Sequence, residues 1–207
     1  MNGLILSFTL GAVALTGDFC VPVLRSDFPR AICDNLTHGL IGFFSWYIVT
    51  SEYNLKNRII ESLFCAFFAS AIDADHFISA RSLYVKDAVR LSSRPFMHCT
   101  TLVIIITLLV RVVVKVLQFT HKLHAIWKRI DWLFLLATIS HHIRDGSRRG
   151  LWLWPLPFWS SGNVYSTPPL PKVIYLILTM TLPHLLKYVI LEDGDNPLPW
   201  TGNILTV

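Results

Sequence analysis

The chain has 207 residues, of which 53% are hydrophobic and only 15% are charged, and its mean hydropathy is +0.53. This composition excludes an ordinary soluble domain and predicts an all-α membrane protein. Lysine and arginine outnumber aspartate and glutamate by 18 to 13, but the basic residues lie in short loops beside apolar runs, as in membrane proteins, so no nucleic-acid partner is expected.

Successive apolar runs predict a polytopic helix bundle with about six transmembrane spans, which together form a single integral membrane domain over residues 1–207. The runs cover residues 4–24, 36–50, 59–80, 97–117, 132–142 extended backward through 126, and 172–191. A signal peptide is the alternative for the first run. Because no lysine or arginine precedes that run, and cleavage near Ala14 would leave its apolar part too short, a retained helix is expected.

The segments between the runs are mostly short and polar, beginning with a turn over residues 25–34. A Trp- and Pro-rich interfacial loop, residues 147–171, separates the last two runs, and its aromatic side chains are typical of an interfacial belt, with a lid on the membrane surface as the alternative. A polar C-terminal tail follows over residues 192–207. The four cysteines lack disulfide or CxxC spacing and are expected to be apolar fillers, with Cys99 as a weaker ligand candidate.

Histidines and aspartates stand at the ends of several runs. They are Asp34 and His38 at the start of the second, Asp73, Asp75 and His76 near the end of the third, His98 at the start of the fourth, and His141, His142 and Asp145 at the end of the fifth. Because successive spans run in opposite directions, counting the crossings places all of these residues at one face of the membrane. The sequence therefore predicts that they meet.

This set of side chains predicts a site for a divalent metal ion. An ionisable group inside a membrane costs about 2.5–3.5 kcal/mol on insertion scales, so these groups should face inward and find partners. Carboxylates gathered close together repel one another unless a cation lies among them. Mixed imidazole and carboxylate ligands suit Zn²⁺, Mn²⁺ or Fe²⁺ better than Ca²⁺. The predicted ligands are His38, Asp73, His76, His98, His141 and Asp145.

A metal site of this kind predicts hydrolysis, because a bound ion activates water and polarises an acyl or phosphoryl oxygen. Asp75, which on a continuous helix points away from Asp73 and His76, or His142 would act as general base. Arg144 or Arg94 would stabilise an anionic group. A position at the membrane surface favours membrane lipid as the partner and a lipid-type substrate.

Two other functions remain open at this stage. In a noncatalytic scaffold, arginines at the same face would form salt bridges with the acids and tie the helices together. These arginines are Arg81, Arg94, Arg144, Arg148 and Arg149. A metal transporter would need polar groups that continue to the opposite face, and the third and fourth runs offer few. Orientation, compartment and oligomeric state stay open, since positive charge is spread nearly evenly over the two faces.

The segments that carry these residues resemble two families. Residues 34–38, 72–77, 94–99 and 140–152 are similar, in order and spacing, to the animal transmembrane protein 267 family, which implies a multi-pass membrane protein. A looser similarity reaches the bacterial YdjM-type inner-membrane proteins and implies a metal-dependent hydrolase. The positions that match this second pattern are His38, Asp73, Asp75, His76, His98, His141, Asp145, Gly150 and Pro155. Ile72 replaces a proline of the pattern and Cys99 a serine, and neither change removes a predicted ligand.

Overall fold

A computed structural model describes residues 3–120, 129–154 and 165–192, and this part of the chain is helical. The helices are α1 (Gly3–Val23), α2 (Asp27–Val49), α3 (Leu55–Ala71), α4 (Ala74–Ala80), α5 (Val85–Ala88), a 3₁₀ helix (Phe96–His98), α6 (Thr100–Phe119), α7 (Ile130–Arg149) and α8 (Lys172–Glu192). Within the described ranges there are isolated β-bridges but no strand. The predicted all-α fold is confirmed.

Helices α2 and α7 form the centre of the bundle. Helix α2 packs against α1, α3, α7 and α8, and α7 packs against α2, α3, α6 and α8. The outer helices expose large apolar side chains such as Phe19, Leu109 and Leu185. Among the described residues, Gly3–Val23, Leu55–Ala80, Thr100–Phe119 and Lys172–Leu191 are long and apolar enough to cross a bilayer.

A close approach of α2 and α3 places the candidate site. A Cβ atom on Gly42 would lie 2.9 Å from the Cβ atom of Ala69 and 3.0 Å from the carbonyl oxygen of Cys65, so only glycine fits here. Small residues at such contacts let two membrane helices pack with their backbones near each other. His38 lies one turn before Gly42, and the contact therefore brings it beside the C-terminal end of α3.

Helix α2 begins earlier than predicted. The expected polar turn over residues 25–34 is wrong, because the helix starts at Asp27, directly after the extended Ser26. Pro29 lies in the first turn, where a missing backbone N–H leaves no hydrogen bond unmade. As a result Asp34 and His38 lie inside the helix and not at its start.

The third predicted run is interrupted near its end. Helix α3 stops at Ala71 and α4 starts at Ala74, and the backbone N–H groups of Asp75 and His76 donate to the carbonyl oxygens of Ile72 and Asp73. These bonds span three residues and tighten the turn, a local 3₁₀ geometry that is frequent at functional sites. The irregularity falls on the segment that carries three ionisable side chains.

Two further boundaries differ from the predictions. The fourth span was expected from residue 97, but α6 starts at Thr100, and His98 lies in the preceding 3₁₀ helix that follows Pro95. Helix α7 runs to Arg149, so His141, His142 and Asp145 lie within it and the predicted loop 147–171 begins at Gly150. Residues 155–164 of that loop, which include Pro155, and residues 193–207 of the predicted tail lie outside the described residues.

The two described ends of that loop pair with each other. The backbone N–H of Leu153 donates to the carbonyl oxygen of Tyr165 at 2.8 Å, and that of Thr167 donates to Leu151 at 2.9 Å. Gly150 makes the turn with φ of 72°, and a Cβ atom there would lie 1.8 Å from the carbonyl oxygen of Thr167. Thr100 N–H donates to the Trp152 carbonyl oxygen, which fixes this segment beside the start of α6.

Candidate metal centre

Four separate elements deliver the predicted ligands to one place. Helix α2 supplies His38, the α3–α4 break supplies Asp73 and His76, the 3₁₀ helix supplies His98, and α7 supplies His141 and Asp145. We call these residues together with Asp75 the His/Asp cluster. The structure thus brings all of the predicted ligands together at one end of the bundle, as the count of crossings indicated.

Four side chains form the middle of the cluster. The Nε2 atom of His98 lies 3.4 Å from Asp73 Oδ1, 3.3 Å from Asp145 Oδ2 and 3.4 Å from His141 Nε2. His141 Nε2 is 3.6 Å from Asp73 Oδ1 and 3.7 Å from Asp145 Oδ2. A tetrahedral Zn²⁺ ion with bonds of about 2.0–2.1 Å separates its ligand atoms by about 3.3–3.4 Å. Asp73, His98 and His141 therefore fit as three ligands of such an ion, and Asp145 lies within a few tenths of an ångström of this spacing from both histidines.

Two of these imidazoles are oriented by the protein. His141 Nδ1 is 2.8 Å from the carbonyl oxygen of Ala69. Because a carbonyl only accepts, Nδ1 carries the proton and Nε2 presents its lone pair to the middle of the cluster. On the other ring, His98 Nδ1 is 3.4 Å from Asp75 Oδ2, which also accepts the backbone N–H of Met97 at 2.8 Å. Such outer partners fix the ring orientation of metal-binding histidines.

His38 and His76 flank the middle of the cluster. His38 Nε2 is 3.4 Å from Asp145 Oδ1, and His76 Nδ1 is 3.2 Å from Asp75 Oδ1. Neither nitrogen of His38, whose side chain is 1% exposed, has a partner in hydrogen-bonding geometry, and the same holds for His76 Nδ1. A buried polar atom without a partner is costly, and a bound ion would supply the missing partner.

The cluster carries acidic groups that favour a cation. His98 lies outside the helices that are long enough to cross a bilayer, between Leu55–Ala80 and Thr100–Phe119. Burial alone would lower the pKa of its imidazole, but hydrogen bonds to Asp145, Asp73 and Asp75 outweigh burial and raise the pKa to about 11. Within the described residues no lysine or arginine forms a salt bridge with Asp73 or Asp75. The positive charge that these carboxylates need must therefore come from protonated histidine or from an ion.

Asp75 does not point away from its neighbours, as a continuous helix would require. Its two oxygens face His98 and His76, because the break at Ile72 and Asp73 turns the following residues toward the cluster. Its predicted role as general base stays a prediction. The contacts place it behind His98 as a group that orients the ring.

His142, the other predicted base, has both ring nitrogens engaged. Nε2 is 2.9 Å from the Met97 carbonyl oxygen and must donate, so Nδ1 is the acceptor and takes the hydroxyl proton of Thr100 at 2.8 Å. This tautomer keeps the ring neutral, with the lone pair of Nδ1 directed at the Thr100 hydroxyl. His184 is far from this arrangement in the chain and meets the Ser7 hydroxyl at 2.7 Å.

Arg144 is buried and paired with two carboxylates. It is 0% exposed, its Nε atom is 3.1 Å from Asp18 Oδ1, and its Nη1 atom is 2.7 Å from Asp34 Oδ1. Arg148 joins Asp34 Oδ1 at 3.0 Å to Asp145 Oδ1 at 2.8 Å. The sequence analysis named Arg148 among the arginines that would form salt bridges with the acids, but it gave Asp18 no role. Oppositely charged residues inside separate apolar runs were the available signal, because such residues usually pair.

A small pocket opens onto the cluster between the start of α6 and the end of α7. Its lining includes Arg94, His98, His142, Asp145, Arg149 and Trp152. We call this pocket the mouth. It has a volume of about 10 Å³, room for about one water molecule, and it reaches His98 and Asp145 in the middle of the cluster and His142 beside it.

The helices and the cluster define a class: an integral, multi-pass membrane protein with a buried group of histidines and aspartates at one end. Residues 33–198 match the family described as YdjM inner membrane protein, and the chain belongs to that family. It is also similar to transmembrane protein 267 of Mus musculus, with 41% identity over 93% of this chain and 85% of the relative.

Further relatives carry the same name. Transmembrane protein 267 of Bos taurus is 35% identical over 95% of this chain and 87% of the relative, and that of Xenopus laevis is 35% identical over 86% and 77%. No solved structure matches the chain. The resemblance to both families that the sequence motifs indicated is confirmed.

Proposed function

We propose that the His/Asp cluster binds a divalent metal ion, Zn²⁺ in preference to Mn²⁺ or Fe²⁺, and that the protein is a membrane-bound metal-dependent hydrolase that acts on a lipid-type substrate. The observation that carries this proposal is the close approach of ligand atoms from Asp73, His98 and His141, at 3.4–3.6 Å, with Asp145 at 3.3–3.7 Å from both histidines. Tetrahedral coordination by nitrogen and oxygen favours Zn²⁺.

Access to the cluster favours catalysis over a purely structural ion. A structural metal site is closed, whereas a catalytic site keeps a position open for water and substrate. Here His98 and Asp145 line the mouth, so part of the middle of the cluster faces outward. When bound, the ion would lower the pKa of a water molecule and polarise an acyl or phosphoryl oxygen.

The chain's own residues supply the remaining roles. His142 lines the mouth with an unprotonated Nδ1, and it is our choice for the general base. In this role the Thr100 hydroxyl turns away from Nδ1 when water binds, while Met97 still holds the ring. Asp75 orients His98 and is a positioning residue in this proposal. Arg144 forms ion pairs with Asp18 and Asp34, so its role in this proposal is to hold helices together. Arg94, which lines the mouth, is the arginine that would bind an anionic group.

The proposal includes about six spans, with α2 and α7 crossing the membrane as inner helices. Their 23 and 20 residues extend about 34 and 30 Å, enough for a bilayer core. Their ionisable residues contact each other inside the bundle, which removes the main objection to placing them in a membrane.

Labelling from each side of the membrane tests this topology. In a background without the native cysteines, Arg25→Cys and Glu52→Cys bracket α2, while Thr120→Cys and Lys172→Cys bracket α7. A membrane-impermeant maleimide applied to sealed vesicles should reach only one member of each pair. Labelling of both members from the same side would show that the bracketed helix does not cross.

A metal transporter is less well supported by the packing. Between the cluster and the opposite end, the interior is filled by a tight apolar group that includes Trp46, Cys65, Ala69 and Leu136. Beyond it, Glu61 pairs with Arg129 at 2.6 Å and accepts Trp46 Nε1–H at 3.0 Å, so these buried polar groups are engaged with one another. We find no chain of polar groups across the described residues.

A noncatalytic scaffold is the second candidate, and the Arg144 contacts favour it. Arg144 and Arg148 join α1, α2 and α7 through Asp18, Asp34 and Asp145, which shows that this end of the bundle uses ion pairs as structural ties. On this alternative the cluster is a further tie, and an ion in it would hold helices together without turnover.

Metal analysis of the purified full-length chain separates these functions. We expect roughly one Zn²⁺ per chain in the wild type, as for a single tetrahedral site, and loss of the ion without loss of folding in His98→Ala and Asp73→Asn. His184→Ala, which removes a histidine bonded to Ser7, is the matched control and should keep the ion. A metal-free wild type would overturn the proposal, and collapse of both cluster variants would support the scaffold.

Turnover is tested on the same samples. Hydrolysis of a panel of short-chain ester and phosphoester lipids should stop on chelation and return with Zn²⁺. His142→Gln should keep the metal but lose turnover, because only the base is removed. Metal binding in the wild type without hydrolysis of any panel member, and with folding that depends on the metal, would assign the cluster to the scaffold.

A further inference from the structure

Two guanidinium groups line the mouth without a carboxylate partner. Arg94 donates to the carbonyl oxygens of Gly150, at 3.0 Å, and Arg149, and Arg149 is exposed. In the part of the chain that the structure describes, neither side chain forms a salt bridge. By contrast, Arg90, Arg144 and Arg148 at the same end are each paired with an aspartate.

Two features add positive charge to the mouth, which also contains the Asp145 carboxylate. Burial and the nearby charge of Arg149 lower the pKa of Arg94, and Asp145 acts in the opposite direction. Helix α6 also begins at the mouth, with Thr100 as its first residue, so the positive end of its dipole lies there. An anion bound between these groups would relieve their repulsion, and its charge would lie next to the cluster.

An apolar surface continues from the mouth along α6. Pro95, Leu151 and Trp152 are the apolar residues of the lining. Ile104 and Leu108, one and two turns along α6 from the mouth, are exposed on the outside of the bundle. A ligand with an anionic head and a hydrocarbon tail would match both parts, with its head among the arginines and its tail along α6.

We propose that the mouth binds the phosphate group of a membrane lipid through Arg94 and Arg149, with Trp152 and the exposed face of α6 against the hydrocarbon part. Guanidinium forks match phosphate oxygens, and two of them suit a phosphomonoester better than a singly charged carboxylate. This inference rests on the proposed function, since it names the substrate class of the same site. It places the headgroup at the outer edge of the mouth beside Arg94 and Arg149, because the mouth itself has room for about one water molecule.

Binding of defined lipids to the full-length protein tests the inference. The probes are short-chain phosphatidic acid, diacylglycerol with the same chains, phosphatidylcholine with the same chains, and inorganic phosphate. Phosphatidic acid should bind saturably and at least tenfold more tightly than the other three, because it alone combines the dianionic head with the tail. Equal binding of diacylglycerol and phosphatidic acid, or inorganic phosphate that binds as tightly as the lipid, would overturn the proposal.

Variants of Arg149 assign the binding to the mouth. Arg149→Gln should weaken phosphatidic acid binding by about tenfold or more, as expected for a lost charge-assisted bond, and Arg149→Lys should recover part of it. Arg25→Gln, which removes an exposed arginine at the α1–α2 turn, is the charge-matched control and should bind as the wild type does. Wild-type affinity in Arg149→Gln would refute the assignment.

Zn²⁺ content measured in the same samples separates this inference from the proposed function. Arg149→Gln should keep its metal, because Arg149 is not among the cluster residues. If Arg149→Gln kept both its metal and the wild-type affinity for lipid, only the proposed phosphate site would be contradicted. Arg149-dependent lipid binding by a metal-free wild type would instead support the phosphate site while the metal-dependent hydrolase fails.

Discussion

The ring of His38 stacks on the ring of His141, with their centroids 3.7 Å apart and an interplanar angle of 18°. This contact joins the two central helices, α2 and α7, at the cluster. His38 nevertheless has no hydrogen-bond partner at either nitrogen, while His141 is fixed by the carbonyl oxygen of Ala69. His38 thus makes a packing contact through its ring and also directs an unsatisfied nitrogen at Asp145. Substitution can separate its contribution to packing from its contribution to metal binding.

His38→Phe keeps an aromatic ring for the stack and removes both nitrogens. We expect the folded protein to persist and its affinity for Zn²⁺ to fall about 10–100-fold, because the imidazole edge beside Asp145 is lost. Competition with a chelator of known affinity measures the change. Unaltered affinity would show that His38 contributes packing alone.

Asp75→Asn tests whether Asp75 orients His98. An amide can still accept the Met97 N–H but cannot attract the His98 ring as a carboxylate does, so Zn²⁺ affinity should fall about 10–100-fold. Asp87→Asn, in the neighbouring α5, alters an acid that accepts from the Ser82 hydroxyl and should leave affinity unchanged. If Asp75→Asn kept full affinity and lost only turnover, Asp75 would be the general base that the sequence predicted.

Metal binding should release a proton from His98. With its pKa raised to about 11, the imidazole of the metal-free protein is protonated at neutral pH, and a metal ion must displace that proton. Lower pH therefore opposes binding, and the apparent affinity should rise about tenfold for each pH unit between about pH 6 and 8. Calorimetric titrations in buffers of different ionisation enthalpy count the released protons. Binding that is independent of pH and buffer would contradict this.

Arg144→Met should destabilise the bundle without removing a cluster residue. The substitution leaves Asp18 without its cation and Asp34 with Arg148 alone. Breaking a buried pair costs about 3–5 kcal/mol, and we expect the lower figure because both carboxylates are partly exposed and Asp34 keeps one partner. Thermal unfolding in detergent measures the loss. The triple variant that adds Asp18→Asn and Asp34→Asn should recover stability, whereas no recovery would mean that the packing of Arg144 matters more than its charge.

The meeting of the cluster residues was predictable because it needed only the direction of successive helices. His38, His98 and His141 belong to different runs, and the hydropathy pattern alone assigns each run end to a membrane face. The position of α8 was predictable from hydropathy too, because the ends of a long apolar stretch between polar flanks mark the ends of the helix.

The detailed geometry was less predictable because it depends on contacts between distant segments. The turn at Ile72 and Asp73, which aims Asp75 at His98, has no periodicity signal. The same holds for the 3₁₀ helix before α6. Hydropathy also hid the early start of α2, because residues that are polar in the sequence pair with partners on α7 in the fold.

The pairing of Asp18 with Arg144 has a consequence for how the protein is made. Asp18 enters the bilayer with the first helix, but the guanidinium that neutralises it is 126 residues later in the chain. Until α7 arrives, the nascent chain holds a carboxylate in lipid at a cost of about 2.5–3.5 kcal/mol or keeps it protonated. Biogenesis should therefore pass through a loosely assembled intermediate, and the first helix should lock into place only when synthesis is nearly finished.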